Sequence, residues 1–194
     1  MILKAFVRLV AMSVVIGQSA TAFAHDYKVA IADLVESEIR DWAQVDEVVN
    51  AIREQNKLST TLSQADIDAR DRQWREEVKV DNHKMIKAVL SNSLSSYLKS
   101  IKTDSHGKYT EIIVMDKKGL NVGQSDITSD YWQGDEDKWL KSYGAGPKGV
   151  LITEVDFDDS QQDYFSQVSI SIVDPATYKA IGAVTVSIDI GKLE

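Results

Sequence analysis

The sequence contains no cysteine, and only two prolines and three histidines occur among its 194 residues. Without cysteine no disulfide can staple the chain, so a small disulfide-rich secreted fold is excluded. The histidines, His25, His83 and His106, are far apart in the chain, which leaves a zinc site without its usual ligands. The fold must therefore be stabilised by a hydrophobic core, and the chain is long enough to form one as a single domain.

Long apolar runs are missing except at the N-terminus. There Lys4 and Arg8 precede a short apolar run that ends in a small-x-small pattern. The three parts predict a secretory signal peptide over residues 1–24, cleaved near Ala24. An uncleaved N-terminal anchor is the alternative, although the run is short for a membrane span. We expect residues 25–194 to form one periplasmic domain, with no second spanning segment to hold it in the membrane.

Basic residues are in the minority. The chain has 22 Lys and Arg against 30 Asp and Glu, a formal net charge of −8. Loss of Lys4 and Arg8 with the signal peptide would bring the net charge to about −10. A surface of this charge repels the phosphates of nucleic acids and anionic lipids. We therefore expect no nucleic-acid partner and no binding to a membrane surface.

Two long helices are predicted in the N-terminal half. From Ile31 to Ile52 apolar residues recur at spacings of three and four, which predicts one amphipathic helix of about seven turns. Its stripe favours packing on the domain's own sheet, and the seam of a coiled-coil homodimer is the alternative. Ser63, with Asp66 three residues later, predicts the N-cap of the second helix. The phase of that helix changes at residues 80–82, where we expect a kink or a break.

Five strands are predicted in the C-terminal half. They cover residues 111–116, 120–124, 149–155, 164–173 and 178–189. Two helices followed by mostly sequential strands are typical of an α+β fold with an antiparallel sheet. In the last two strands one face is apolar and the other carries small polar side chains, so the helices should cover the apolar face. The polar face is either solvated or covered by the loop and short helix of residues 125–147.

Residues 111–139 hold a high density of side chains that can bind a ligand. The acidic residues of this stretch partly match a calcium loop, but Tyr131 stands where a glycine is required and Asp137 where a glutamate is usual. We therefore expect no metal and no cofactor. Nucleophile motifs are missing, so we do not expect an enzyme, and a hydrolase that uses the aspartates is the least favoured alternative. Aromatic side chains with a few charges instead indicate a site that recognises a small molecule.

The sequence resembles a single Cache domain, a PAS-like extracytoplasmic sensor module of bacterial chemoreceptors and histidine kinases. The similarity runs from about Ala30 to the C-terminus. It is carried by the long helix, by the hairpin of residues 114–123, by residues 125–139 and by the closing strand of residues 181–186. The resemblance implies a PAS-like Cache fold, in which the long helix and the second helix pack on the five-stranded sheet and a loop-helix lid covers part of it.

The resemblance also implies a small-molecule site between the sheet and the lid. Carried onto this sequence, it assigns to the site Asp126, Tyr131, Trp132, Lys138 and Trp139 of the loop and Gln167 and Ser169 of the sheet. From the residue chemistry, Lys138 can meet a ligand carboxylate, and Asp126 or Asp130 can meet an amine. The ligand is expected to be an amino acid, an organic acid or an amine. The arginine–tryptophan pattern of amino-acid-binding Cache domains is not evident, which leaves the ligand class open.

Cache domains are usually flanked by two membrane spans and followed by an output domain. This sequence looks like a free-standing periplasmic version that signals to a membrane-bound kinase or chemoreceptor. The alternative is a ligand-free periplasmic adaptor or dimerisation protein that acts through its long N-terminal helix.

Overall fold

A computed structural model describes residues 19–81, 83–158 and 163–193 of the chain. Residues 1–18 of the expected signal peptide lie outside this range, so the cleavage remains a prediction. Within the described ranges, no helix combines the length and the apolar character needed to cross a membrane.

The first predicted helix is present but broken. Helix α1, Ser19–Leu34, continues through a π-helical turn, Val35–Ile39, into α2, Arg40–Ala43, and α3, Asp46–Ser59, begins after an extended Val45. The prediction of one uninterrupted helix is therefore wrong. The apolar residues 39, 42, 45 and 48 are spaced by three, and each such step rotates about 60° short of a full turn of the helix. A straight helix cannot keep them on one face, whereas the break can.

The second predicted helix is three helices: α4, Gln64–Glu77, α5, Lys84–Leu90, and α6, Ser93–Asp104. The predicted N-cap is confirmed, because Ser63 and Asp66 form a reciprocal capping box. The predicted break near residues 80–82 is also confirmed. The Glu77 carboxylate bridges it by accepting from the Met85 amide at 2.7 Å. A second break was not foreseen, although the Asn92 side chain accepts from the Ser95 amide at 2.7 Å as an ordinary N-cap.

The predicted antiparallel sheet is confirmed, with six strands rather than five. The strands are β1, Tyr109–Asp116, β2, Asn121–Gln124, β3, Val150–Ile152, β4, Asp156–Asp158, β5, Asp163–Val173, and β6, Ala180–Asp189. Their order is β2-β1-β6-β5-β3, and β4 pairs with β5 beyond the end of β3. The missed strand, β4, has three residues of which two are aspartates, and that composition is typical of a turn.

The main hydrophobic core lies between the apolar face of the sheet and α1, α2, α3 and α6. Neighbouring positions such as Val114, Val184 and Ile170 pair directly across three strands and meet the apolar stripe of the helices. A second cluster packs α4 and α5 against the β1–β2 hairpin and contains Ile67, Trp74, Ile86, Leu120 and Tyr131. The helices thus cover one face of the sheet and leave the other to the segment after β2.

Candidate functional site

Residues 125–147, the lid, fold over the polar face of the sheet. Their short helix α7, Asp137–Leu140, is followed by a 3-10 turn, Tyr143–Ala145. The rings of Trp139 and Tyr143 have centroids 4.9 Å apart and pack on Ile113, Met115 and Ala183 of the sheet. Of the two alternatives for this face, the structure therefore shows the covered one.

Small polar side chains of the sheet let the lid approach closely. The hydroxyls of Ser169 and Thr185 hydrogen-bond each other at 2.8 Å, and Ser171 donates to the Gly146 carbonyl at 2.7 Å. Ser169 is completely buried. The Trp139 indole donates to the Asp116 carbonyl at 3.0 Å, which fixes the ring over the sheet. The space under the centre of the lid is therefore filled by the protein's own side chains.

Of the two aromatic residues expected as pocket walls, Tyr131 is buried and Trp132 is partly buried. Tyr131 is 5% exposed and stacks on Trp74 with ring centroids 5.5 Å apart. The Trp132 indole donates to the Lys118 carbonyl at 2.8 Å. The backbone amides of both residues donate to the Asp71 carboxylate. These contacts anchor the start of the lid to α4 and to the hairpin turn, and neither residue lines the cavity described below.

Asp130 and Lys138 have partners inside the loop and α4. The Asp130 carboxylate accepts from the Arg75 guanidinium at 3.1 Å and from the Gln133 amide at 2.5 Å. The Lys138 ammonium donates to the Gln133 side-chain oxygen at 3.0 Å and lies 3.0 Å from the Glu136 carboxylate. Both charges are therefore matched without a ligand.

Beside the filled region, the polar face of the sheet opens into a cavity of about 1010 Å³. Its floor is a row of three residues on adjacent strands, since Glu111 pairs with Ser187 and Ser187 pairs with Gln167. The Gln167 side chain donates to the Ser187 hydroxyl at 3.2 Å. The first residues of the lid and the end of α6 form one wall, and β4 with the start of β5 forms the other.

One wall carries an ion pair and the other carries aromatic rings. The Lys102 ammonium lies 2.7 Å from both oxygens of Asp126. Opposite, Phe165 lines the cavity together with Glu154 and Asp156, and Phe157 borders it while its ring packs on Tyr164. The cavity thus combines a polar floor, a charged wall and an apolar wall, the mixture that ligand sites use for orientation and for affinity.

Glu111 is the carboxylate at the floor of the cavity. Burial raises the pKa of Glu111, and the charges of Asp126 and Asp130 raise it further, while Lys138 and Lys102 lower it. Among the described residues, no hydrogen bond to the Glu111 carboxylate contributes to this pKa shift. Glu154 at the rim differs, because Lys28 and the Tyr27 hydroxyl hold the pKa of its carboxyl below the ordinary value.

The structure brings two of the eight predicted site residues to the cavity, Asp126 and Gln167. Lys138 does not line the cavity, but its charge lowers the pKa of Glu111 on the cavity floor. The other five are packed under or beside the lid. Sequence analysis missed Glu111, Lys102 and Ser187 of the lining. Alternation along β1 places Glu111 on the same face as Ile113 and so would have found it. Nothing in the sequence marks Lys102, which meets Asp126 from a helix that ends before β1.

No family model and no curated protein match the sequence. Several solved structures are similar to it, and three of them are described below. The sensory domain of the Campylobacter jejuni chemoreceptor Tlp3 is 13% identical with a TM-score of 0.41, and the match covers 86% of this chain and 66% of that one. The extracellular domain of the putative histidine kinase vpHK1S-Z8 is 12% identical with a TM-score of 0.48, covering 89% and 56%.

The third structure is the ligand-binding domain of the Pseudomonas aeruginosa chemoreceptor PctC in complex with GABA, which is 11% identical with a TM-score of 0.37 and coverages of 87% and 62%. This chain therefore spans less than two thirds of the length of each of the three. All three belong to chemoreceptors or a histidine kinase, the class of protein that the sequence resembles. Similarity at these identities and TM-scores leaves the ligand and the partner of this chain open.

Proposed function

We propose that the protein is a periplasmic sensor module that binds a small molecule in the cavity beside the lid and signals to a membrane-bound kinase or chemoreceptor. The observation that supports this proposal is the cavity itself. Its volume of about 1010 Å³ is at the upper end of the usual range for small-molecule sites, and its floor places the Glu111, Gln167 and Ser187 side chains together.

The position of the cavity suits a sensor. A ligand in it would contact the sheet through Gln167, the start of the lid through Asp126 and the end of α6 through Lys102. Binding would therefore couple the lid and α6 to the sheet, and a partner can read such a coupling as a shift in the population of conformations.

A ligand screen tests the proposal. Amino acids, organic acids and amines would be added in thermal-shift and calorimetric measurements on the mature protein. A ligand at 100 times its dissociation constant should stabilise the native state by about 2.7 kcal/mol. The Gln167→Trp variant fills the cavity and should abolish the stabilisation. Leu140→Trp, at an exposed position of α7, is the matched control and should retain it.

The filled space under the lid favours a second candidate, the ligand-free adaptor. For this candidate Trp139 and Tyr143 would simply complete the fold, and no compound would stabilise the protein. The apolar stripe of its N-terminal helices packs on its own sheet, so an adaptor would have to use their polar face. A homodimer in sedimentation velocity, together with an empty ligand screen, would favour the adaptor; a stabilising ligand whose effect is lost in Gln167→Trp would exclude it.

A further inference from the structure

The charges that line the cavity are unbalanced. Among the described lining residues, four carboxylates, those of Glu111, Asp126, Glu154 and Asp156, share the cavity with one ammonium, Lys102. That ammonium is already paired, because it lies 2.7 Å from both oxygens of Asp126. Glu154 has its own partners at the rim, Lys28 and Tyr27. The negative charge that remains uncompensated lies on the floor at Glu111 and at the mouth at Asp156.

Glu111 is the deeper of these two groups. Glu111 lies on β1, paired with Ser187 of β6, on the face of the sheet that the lid partly covers. Asp156, in contrast, is exposed on β4. The charge that most favours the ionised form of Glu111 is that of Lys138, whose ammonium is engaged by Gln133 and Glu136. Removing a carboxylate from water without a partner is unfavourable, and a cation that enters the cavity would relieve this.

An aromatic ring lies in the same cavity as this carboxylate. Phe165 is on the same face of β5 as Gln167 and forms part of the wall opposite Lys102, whereas the ring of its neighbour Phe157 packs on Tyr164 with centroids 5.0 Å apart. The negatively polarised face of a phenyl ring attracts an ammonium group, and rings and carboxylates together are a common environment for organic cations. An anionic ligand would instead meet four carboxylates and one ammonium that is already paired.

We propose that the ligand is a small organic cation, an amine or a quaternary ammonium compound, whose charged group binds the Glu111 carboxylate beside Gln167 and Ser187. The inference rests on the proposed function, since it specifies the chemical class of the ligand for that same cavity. The neighbouring hydroxyl and amide of the floor are left to orient the polar part of the ligand, and the Phe165 ring to pack on its apolar part.

Matched probes that differ in charge test the proposal by isothermal titration calorimetry. Choline and 3,3-dimethyl-1-butanol have the same shape, and only choline is charged; putrescine and 1,4-butanediol form a second pair, and succinate is the anionic probe. The cations should bind, and the neutral partner of each should bind at least roughly tenfold more weakly, as expected when a charge-assisted contact is lost.

Variants assign the contact to Glu111. Glu111→Gln keeps the shape of the side chain and removes its charge, so cation affinity should fall roughly 10- to 100-fold. Its denaturation midpoint at neutral pH should equal or exceed that of the wild type, because a partly buried charge that has no hydrogen-bond partner among the described residues has been removed. Glu47→Gln, at an exposed position on α3, removes the same charge outside the cavity and should leave the affinity unchanged.

Each result decides between the inference and the function. Binding of succinate or of the neutral probes in preference to the cations, lost in Gln167→Trp, would overturn the cationic ligand and leave the sensor intact. Cation binding of equal strength in Glu111→Gln would overturn the role of Glu111. If neither these probes nor the wider ligand screen gives any binding, the sensor function itself fails.

Discussion

Asp116 closes the turn between β1 and β2 from the inside of the protein. Its Oδ1 accepts from the backbone amides of Lys118 at 2.7 Å and Leu120 at 3.0 Å. Gly119 between them has φ = 80°, a conformation that favours glycine. Burial raises the pKa of Asp116, while the Ser59 hydroxyl and the two amides oppose that rise. A single side chain thus replaces the water that would otherwise satisfy the turn.

Replacement of Asp116 by alanine should destabilise the protein by about 2–4 kcal/mol, because two buried amides lose their acceptor. Asp116→Asn keeps an oxygen at the same place and should lose clearly less. Urea denaturation at neutral pH measures both. Equal losses for the two variants would show that the carboxylate acts through its charge and not as an acceptor for the turn.

Tyr131 provides a second test at the residue scale. Because its ring stacks on Trp74 and is buried, Tyr131→Ala should lower the free energy of unfolding by about 3–5 kcal/mol, as for other large aromatic residues in a core. Tyr131→Phe keeps the ring and should cost about 1 kcal/mol or less. A Tyr131→Ala protein of wild-type stability that has lost ligand binding would restore the residue to the pocket.

The sequence predicted where the ligand-capable residues are concentrated, but not which of them face open space. The density of aspartates and aromatic residues after β2 is a local property and can be counted. Whether Tyr131 faces a ligand or Trp74 depends on a contact with a helix more than fifty residues earlier. The same is true of Asp126, whose partner Lys102 lies on α6. Side-chain direction in an aperiodic loop has no signature in the sequence.

At the scale of elements, an ion pair holds α3 to the turn between β5 and β6. The Arg53 guanidinium binds Asp174 through both nitrogens of its fork, each at 2.9 Å from a carboxylate oxygen. The same carboxylate accepts from the Ala176 amide at 2.8 Å. These bonds lower the pKa of Asp174 to about 2, with the Arg53 contact as the largest cause. One residue therefore both shapes the turn and holds the helix to it.

The Arg53–Asp174 ion pair predicts a dependence of stability on pH. Since the pKa of Asp174 is lower in the folded than in the unfolded chain, its contribution is fully present above the ordinary value of 3.8 and is lost as the pH falls through about 2. Asp174→Asn should therefore be less stable than the wild type at neutral pH, and the difference should shrink towards pH 2. Denaturation midpoints at a series of pH values measure this.

Asp137→Asn is the control for Asp174→Asn. Asp137 forms an ordinary surface pair with Lys141 one helical turn away, and such pairs contribute little. Its stability should stay close to that of the wild type at every pH. A difference between Asp174→Asn and the wild type that persists unchanged at the acid end would show that the effect of the substitution is not electrostatic.

Helix and strand positions were predictable where the period is unbroken. The polar and apolar faces of β5 and β6, and the capping box of α4, follow from residues next to each other in the chain. The breaks were harder to predict. Apolar residues spaced by three across residues 39–48 look like part of one helix, but a straight helix would not keep them on one face, and the chain forms two helices there. Asn92 caps α6 although the apolar pattern continues through it.

At the scale of the whole molecule, the apolar stripe of the N-terminal helices packs on the protein's own sheet. Ile52 is completely buried, and the space over Gly182 is so narrow that a Cβ there would lie 3.1 Å from the Ile52 side chain. The coiled-coil seam that the stripe could have formed is therefore occupied by β6 and its neighbours. The α+β prediction was correct because one apolar helix stripe and one apolar sheet face can be buried together in few other arrangements.

Ile52→Ala should lower the free energy of unfolding by about 2–5 kcal/mol, as for other large-to-small changes in a core. If the stripe serves only the intramolecular core, the melting temperatures of the wild type and the variant should both be independent of protein concentration. A melting temperature that rises with concentration in the wild type and not in Ile52→Ala would instead indicate that the stripe takes part in a dimer.

The central position of β6 sets the order in which the chain can fold. This strand follows the other five in sequence, yet it lies between β1 and β5, and β1 has no other partner on that side. The β1–β6 ladder, which joins the two halves of the sheet, therefore depends on pairings such as Val114 with Val184, seventy positions apart. Long-range pairings of this kind slow folding relative to a helical protein of equal size. A chain shortened before Ala180 should collapse without protected sheet amides in hydrogen exchange. In a cell, the β1–β2 hairpin and the strands β3 to β5 would remain two separate halves of the sheet until β6 is available to join them.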